Sequence, residues 1–189
     1  MSDPALESTR RRLTAKQADT VDRLGRAAVD LLTREGFAGL TVRRVAAEAG
    51  VGAATAYTYF SSKEHLVAEV FWRRLVASPP AAHGTAEPAT RVIDVLHDIT
   101  LLVADEPEFA GAVTSALLSR DPDVEVLRQR IGHDIRGRLT AALGSETDPD
   151  VIDSLEMLYS GALVRAGMGY ASYAEIARRL EKSARLMLG

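Results

Sequence analysis

Apolar residues recur at intervals of three and four along almost the whole chain, and each run is bracketed by residues that start or stop helices. Strands need strict alternation, which no segment shows, so the pattern constrains the chain to an all-α fold. Val21, Leu24, Ala27, Ala28, Leu31 and Leu32 share one helical face, which predicts an amphipathic helix from Lys16 to Glu35 stopped at Gly36, with Phe37 and Leu40 packing back under it. Thr41 is a good N-cap for a short helix carrying Val42, Val45, Ala46 and Ala49, and Gly50 supplies the left-handed residue that ends it. After Val51 the register restarts with Ala56 and Phe60 inward. Ser61 and Glu64 then form a capping box for a helix from about Ser62 to Ala77, with Leu66, Val70, Phe71 and Leu75 on its apolar face.

The segment Ser78 to Pro88 contains three prolines and a glycine and reads as a linker. Beyond it, Ala89 to Ala104 carries Val92, Val95, Leu96, Ile99, Leu102 and Val103 at helical spacing. Pro107, Pro122 and Pro149 sit at first helical positions, the last two behind the caps Asp121 and Asp148. Ser172 and Glu175 make a second capping box before Ile176, Leu180, Ala184 and Met187. About nine helices are expected in all.

Several chemistries are excluded by what the chain lacks. It has no cysteine, so disulfides, thiolate metal sites and a cysteine nucleophile are ruled out, and a reducing compartment fits. No apolar run approaches the roughly 18 residues of a membrane span, and the N-terminus lacks the apolar stretch of a signal peptide, so a cytoplasmic, nucleoid-associated protein is expected. Histidines 65, 83, 97 and 133 show no metal-ligand spacing, and His65 reads as an exposed helix residue. No H-E-x-x-H, G-x-S-x-G or phosphate loop is present, so no enzyme, metal or cofactor is expected.

The net charge of -3 hides an asymmetry. Residues 1 to 77 hold 12 Lys+Arg against 9 Asp+Glu, whereas residues 78 to 189 hold 11 against 17. A basic front half suits a polyanion.

Two short helices joined by a tight turn at Ala49-Gly50-Val51, behind a longer helix, describe a helix-turn-helix unit. In such a unit the second helix, here about Gly52 to Phe60, enters the DNA major groove with its N-terminal part against base edges. Gly52, Ala53 and Ala54 keep that end slim enough for close approach. Tyr57, Thr58 and Tyr59 place hydroxyls where phosphates flank the groove. Lys63 adds a cation at the next helix start, where free N–H groups already favour an anion, and Thr41 offers a hydroxyl from the start of the second helix. Arg43 and Arg44, opposite Val42 and Val45, are available to guanine or phosphate.

Each residue also has a plain structural role. Tyr59 suits a snorkelling core residue nearly as well. Pairing of Arg43 and Arg44 with Glu48 or Asp30 is the commoner role for either alone, and Thr41, Ser61 and Glu64 are explained as caps. The basic segment Thr9 to Gln17 is either an arm on the DNA backbone or a tail. The ordered combination, not one residue, carries the DNA reading.

The stretch "FAGLTVRRVAAEAGVGAATAYTYFSSKEHL" (Phe37 to Leu66) resembles the DNA-binding domain of the TetR family of bacterial transcriptional repressors, with the likeness running from about Val21 to Leu75. The resemblance implies a homodimer in which three N-terminal helices bind a palindromic operator and a C-terminal helical bundle binds a small inducer. It places Thr41, Thr55, Tyr57, Tyr59 and Lys63 on DNA-contact positions, and Ala46, Ala49, Val51 and Phe60 on core positions. Gly52 stands where serine is frequent, Ala53 where a basic or polar residue is, Ala54 where glycine is and Ala56 where a larger aliphatic is. With no side-chain donors at 52 to 54, contact there is expected with thymine methyls and through DNA shape. The final segment, Tyr173 to Gly189, resembles an actinobacterial subgroup controlling steroid and lipid catabolism. The expected division is an arm at 1–15, a DNA-binding domain at 16–62 and a ligand-binding and dimerisation domain at 63–189.

Within that last domain, a helix predicted from Pro149 to Tyr170 contains Gly161, Gly167 and Gly169. Interior glycine costs about 1 kcal/mol relative to alanine, so close approach of another helix is the simplest account. Ala162, Ala166 and Gly169, with Leu155 and Leu158 and with Ile176, Leu180, Ala184 and Met187 of the final helix, form the candidate dimer surface, packing within the chain being the alternative. The candidate pocket lining is Trp72, Leu96, Ile99, Leu101, Phe109, Val113, Leu117, Met157, Leu163 and Met168, with His97, Thr114, Tyr159 and Tyr170 as polar anchors. Its leucines and methionines favour a lipophilic effector. The expected function is a ligand-responsive repressor of double-stranded operator DNA. A helical small-molecule carrier or interaction protein with a degenerate DNA head is the first alternative, and an enzyme with an unrecognised site the second.

Overall fold

Nine helices form in the described residues (14–78, 86–144 and 148–189) of this computed structural model, and no strand occurs among those residues. They are α1 (Ala15–Gly39), α2 (Val42–Glu48), α3 (Ala53–Tyr59), α4 (Lys63–Ala77), α5 (Pro88–Leu101), α6 (Pro107–Leu117), α7 (Pro122–Leu143), α8 (Pro149–Gly167) and α9 (Tyr173–Leu188). The expected arm, apart from its last residues, the centre of the expected linker and His83 lie outside the described residues. The chain forms two compact units, residues 1–77 with 108–129 and residues 78–107 with 130–189.

In the first unit, α1 buries the six residues its spacing predicts, Val21, Leu24, Ala27, Ala28, Leu31 and Leu32. It starts at a capping box the sequence reading missed, in which Thr14 and Gln17 bond each other's backbone N–H. Gly36 leaves the helical region at φ 68°, so the Gly36 stop is present although a further turn continues to Gly39. Val42, Val45 and Ala46 of α2, Ala56 of α3 and Leu66, Phe71 and Leu75 of α4 are buried in the same unit. A fully buried Leu or Phe side chain contributes about 1.5–3 kcal/mol. Phe60, fully buried at the end of α3, is the largest such group near the turn.

The α2–α3 turn is a Schellman motif: Val51 N–H bonds Ala46 O at 2.8 Å and Gly50 N–H bonds Ala47 O at 3.1 Å, with Gly50 at φ 63°. Arg23 of α1 closes it from outside, donating from Nη2 to Ala49 O at 2.6 Å and Gly50 O at 3.2 Å.

Helix α4 begins one residue later than its expected capping box. Ser62, not Ser61, accepts from the backbone N–H three residues on, that of His65, at 2.9 Å. Val70 is only half-buried, and His65 is inward, where it is 1 % exposed, in contrast to its expected place on the surface. Glu69 is also buried and pairs with Arg73 at 2.8 Å.

The second unit is organised by α9, which lies along α5 and α8. Val92, Val95, Leu96 and Ile99 of α5, Leu155 and Tyr159 of α8, and Ile176, Ala177, Leu180 and Ala184 of α9 are among its buried side chains. Pro88, read as the end of the linker, instead starts α5, as Pro107, Pro122 and Pro149 start α6, α7 and α8. Asp121 and Asp148 cap as expected. Ser172 accepts from Glu175 N–H at 3.2 Å, while the Glu175 carboxylate pairs with Arg179. Helix α8 ends at Gly167, and Gly169 sits past it at φ 77° in a second Schellman turn closed by Tyr170 N–H on Arg165 O.

Gly50→Ala forces a side chain into the left-handed region, which costs about 1–2 kcal/mol. The thermal midpoint, followed by circular dichroism, is expected to fall by about 2–8 °C; an unchanged midpoint would show that the turn does not hold the backbone described here.

Candidate nucleic-acid interface

Helix α3 is only seven residues long, and its two faces have opposite fates. Ala56 and Tyr59 are buried, whereas Ala54, Thr55, Tyr57 and Thr58 are exposed, as is Gly52 at its N-cap; Ala53 is half-buried. Tyr57 is 49 % exposed, a large ring held in solvent on a short, fixed helix. Tyr59, by contrast, is 8 % exposed with its ring tilted against Phe60, 6.4 Å between centroids. Its ring takes the core role that the sequence left open beside phosphate contact.

The hydroxyls differ in what they can still give. Thr41 caps α2 by accepting from Arg44 N–H at 3.2 Å, which leaves its own proton for an outside acceptor. Thr58 donates its proton to Thr55 O at 2.6 Å, so in this rotamer it has none for a phosphate oxygen.

The cations divide in the same way. Arg43 is exposed and makes no hydrogen bond or ion pair among the described residues. Arg44, offered as a base or phosphate contact, is instead drawn back to α1, donating to Gly39 O at 2.9 Å and pairing with Glu35. Glu48, one of the sequence's candidate partners for these arginines, pairs with Arg34 at 2.9 Å. Lys63 is half-buried: its Nζ donates to Phe37 O at 2.9 Å and lies 4.2 Å from the Phe37 ring centroid. An ammonium has three donors, so Lys63 anchors α4 to the end of α1 and keeps N–H groups for an outside anion.

The candidate pocket residues fall into both units. Trp72, Phe109 and Val113 are buried in the first, with Thr114 and Leu117 half-buried and Arg74 over the Phe109 ring at 4.4 Å. Among the described residues the buried Trp72 Nε1 has no hydrogen-bond partner. In the second unit Leu96, Ile99 and Tyr159 are buried and Leu163 is half-buried. Burial pushes the Tyr159 phenol up from its ordinary pKa, so it stays a neutral hydroxyl. His97, Leu101, Met157, Met168 and Tyr170 are exposed and line no interior of that unit, because they lie on the outer faces of α5 and α8 or beyond the end of α8.

The expected dimer stripe is also redrawn. Leu155, Ala166, Ile176, Leu180 and Ala184 are buried within one chain, where α9 packs on α5 and α8, as the within-chain alternative expects, while Met187 stays 42 % exposed. Leu158 and Ala162 are half-buried, and Gly169 lies outside the helix. A different row is uncovered, with Met157 and Gly161 of α8 and its C-cap Met168 exposed and Val164 half-buried, at spacings of 4, 3 and 4. That spacing is legible in the sequence, as is the glycine-rich stripe beside it. The Arg23 clamp was not legible, because nothing local joins it to Gly50.

Comparison with known proteins agrees with this geometry. Residues 25–70 match the family model of bacterial regulatory proteins, tetR family. An HTH-type transcriptional regulator of Mycobacterium tuberculosis H37Rv is 44 % identical over 181 residues, covering 95 % of this chain and 84 % of that protein. The HTH-type transcriptional repressor KstR of Rhodococcus jostii RHA1 is 26 % identical over 174 residues, covering 86 % of this chain and 80 % of its own. A TetR transcriptional regulator from Rhodococcus sp. RHA1 has the same fold, with a TM-score of 0.73 at 24 % identity over 92 % of this chain and 97 % of that one. Among the described residues no helix is long and apolar enough to cross a membrane. An exposed reading face on a buried helix-turn-helix frame and relatives of this kind lead to one conclusion: the chain belongs to the TetR family of DNA-binding transcriptional regulators, which are not enzymes.

Proposed function

We propose that this regulator represses transcription in the bacterial cytoplasm by binding a palindromic operator as a homodimer, and that a small lipophilic effector releases it. The observation that carries the reading is the uncommitted face of α3, where Thr55 and Tyr57 are exposed on a backbone fixed from below, with Thr41 and Arg43 of the preceding cap and helix exposed as well. Gly52 and Ala54 present no bulk there, which suits close approach to base edges and thymine methyls.

A reader of palindromes needs two-fold symmetry. The row Met157, Gly161, Val164 and Met168 on α8 supports it: Met157 and Met168 are 69 % and 66 % exposed in the single chain, and an added Cβ at Gly161 meets nothing within 4 Å. A second copy packed there would remove this apolar row from water.

For the effector, the support is the Trp72 indole. A buried N–H without a partner is costly, and a ligand with a hydrogen-bond acceptor and an apolar body would satisfy it. Such a ligand acts on DNA affinity only if it prefers the DNA-incompetent state.

Selection from random double-stranded DNA is expected to return a palindrome, and a library returning no common sequence would overturn the proposal. Affinity for the recovered site should fall steeply with salt, as expected for about 6–10 phosphate contacts. Arg43→Ala is expected to weaken operator binding at an unchanged thermal midpoint. Arg44→Ala should instead lower the midpoint, because its bonds hold α2 to α1. Replacing Met157 and Met168 together by aspartate should give a monomer in sedimentation that has lost most operator affinity; a dimer of undiminished affinity would move the interface elsewhere.

A further inference from the structure

The turn between α3 and α4 is joined to the start of α7 by a set of side chains that the DNA reading leaves unexplained. Ser61 Oγ donates to Asp123 Oδ2 at 2.5 Å and lies 3.2 Å from His65 Nδ1. Ser62 Oγ donates to Asp121 Oδ2 at 2.6 Å while accepting from His65 N–H. Asp121 is itself the cap of α7, its Oδ1 accepting from Asp123 N–H at 2.8 Å and Val124 N–H at 3.4 Å. His65 stands 3.8 Å from the Asp123 carboxylate and edge-on to Phe60, 5.6 Å between ring centroids. Phe60 is the C-cap of the reading helix, its N–H on Ala56 O. One continuous path of bonds and ring contacts thus runs from the end of α3 to the first turn of α7.

We propose that Ser61 and Ser62, closed on Asp123 and Asp121, are positioning residues for DNA binding: a latch that holds α3 in its DNA-competent pose and opens when the first turn of α7 is displaced. The inference rests on the DNA-reading role of α3 proposed above.

Two features suit a latch better than a fixed brace. Hydrogen bonds to a carboxylate are strong and directional, so a closed latch fixes the turn. Yet Ser61 is exposed and the Asp123 side chain is 29 % exposed, so water can take over the bond between them when it parts. Each serine also serves the turn itself: Ser62 caps α4, and Ser61 donates its backbone N–H to His65 Nδ1 at 3.3 Å. A shift of α7 is therefore felt at the residues that directly follow Phe60. Residues 122–129 of α7 belong to the first unit and residues 130–143 to the second, so the latched turn begins a helix that continues into the other unit.

The test uses the full chain with Ser61→Ala, Asp123→Ala and their double variant, and Asp123→Asn as the conservative replacement that still accepts a hydrogen bond. Two quantities are read: affinity for the selected operator, and amide hydrogen exchange of residues 54–60 without DNA. The expected result is an affinity loss of about tenfold or more, corresponding to about 1.4 kcal/mol, and faster exchange across α3 with α1 still protected. The double variant should be no worse than either single one, and Asp123→Asn should recover most of the affinity. Operator affinity and α3 exchange equal to those of the parent protein would overturn the latch. So would equal losses from Asp123→Asn and Asp123→Ala, or an exchange increase spread evenly over α1. Should the parent chain select no DNA, the DNA reading fails, while the exchange of α3 still decides whether these serines position it.

Discussion

A helix of seven residues does not persist in water by itself, because nucleation costs more than so few hydrogen bonds return. Helix α3 therefore exists only as a consequence of what lies under and around it: Ala56, Tyr59 and Phe60 buried beneath, the Gly50 turn in front and the Arg23 guanidinium across that turn. Holding a short helix from one side frees the other from any structural duty. Thr55 and Tyr57 can then project into solvent without weakening the fold, and Gly52 and Ala54 can be small without leaving a void. The composition that makes α3 a poor core element is what a helix inserted into a groove requires.

Much of this frame was legible because caps and spacing are local. The inward face of α1, the Thr41 cap, the Gly50 stop and the prolines opening α6, α7 and α8 follow from residues within a turn of one another. Adjacent serines defeated the same logic at α4. Both Ser61 and Ser62 have a residue three positions on whose N–H they can take; Ser62 takes that of His65, while the Ser61 hydroxyl donates to Asp123. His65 lies inside, beside an aspartate 58 positions later, a pairing no periodicity reveals.

The acidic half shows the complementary limit. An amphipathic pattern states that a face is covered but not by what. The spacing of Ile176, Leu180 and Ala184 suits a second chain or packing within one, and it is α5 and α8 of the same chain that α9 packs on, with these three residues buried. The row that remains uncovered on α8 has the helical spacing of any amphipathic stripe. Only burial in the single chain separates a stripe that the fold uses from one left for a partner.

Arg43 and Arg44 show how a site of this kind is defined. Successive residues on a helix point about 100° apart. One guanidinium therefore meets Glu35 and the Gly39 carbonyl of α1, while its neighbour faces solvent with its donors uncommitted. Thr41 and Thr58 repeat the distinction at the scale of one proton, the first accepting from Arg44 N–H and the second giving its proton to the Thr55 carbonyl. Residue type is the same within each pair, so type alone does not mark a contact with DNA. What marks it is a fixed backbone combined with a side chain whose hydrogen bonds the protein has left unmade, since a donor already satisfied inside must be released before it can bind a phosphate, and that release subtracts from whatever the contact contributes.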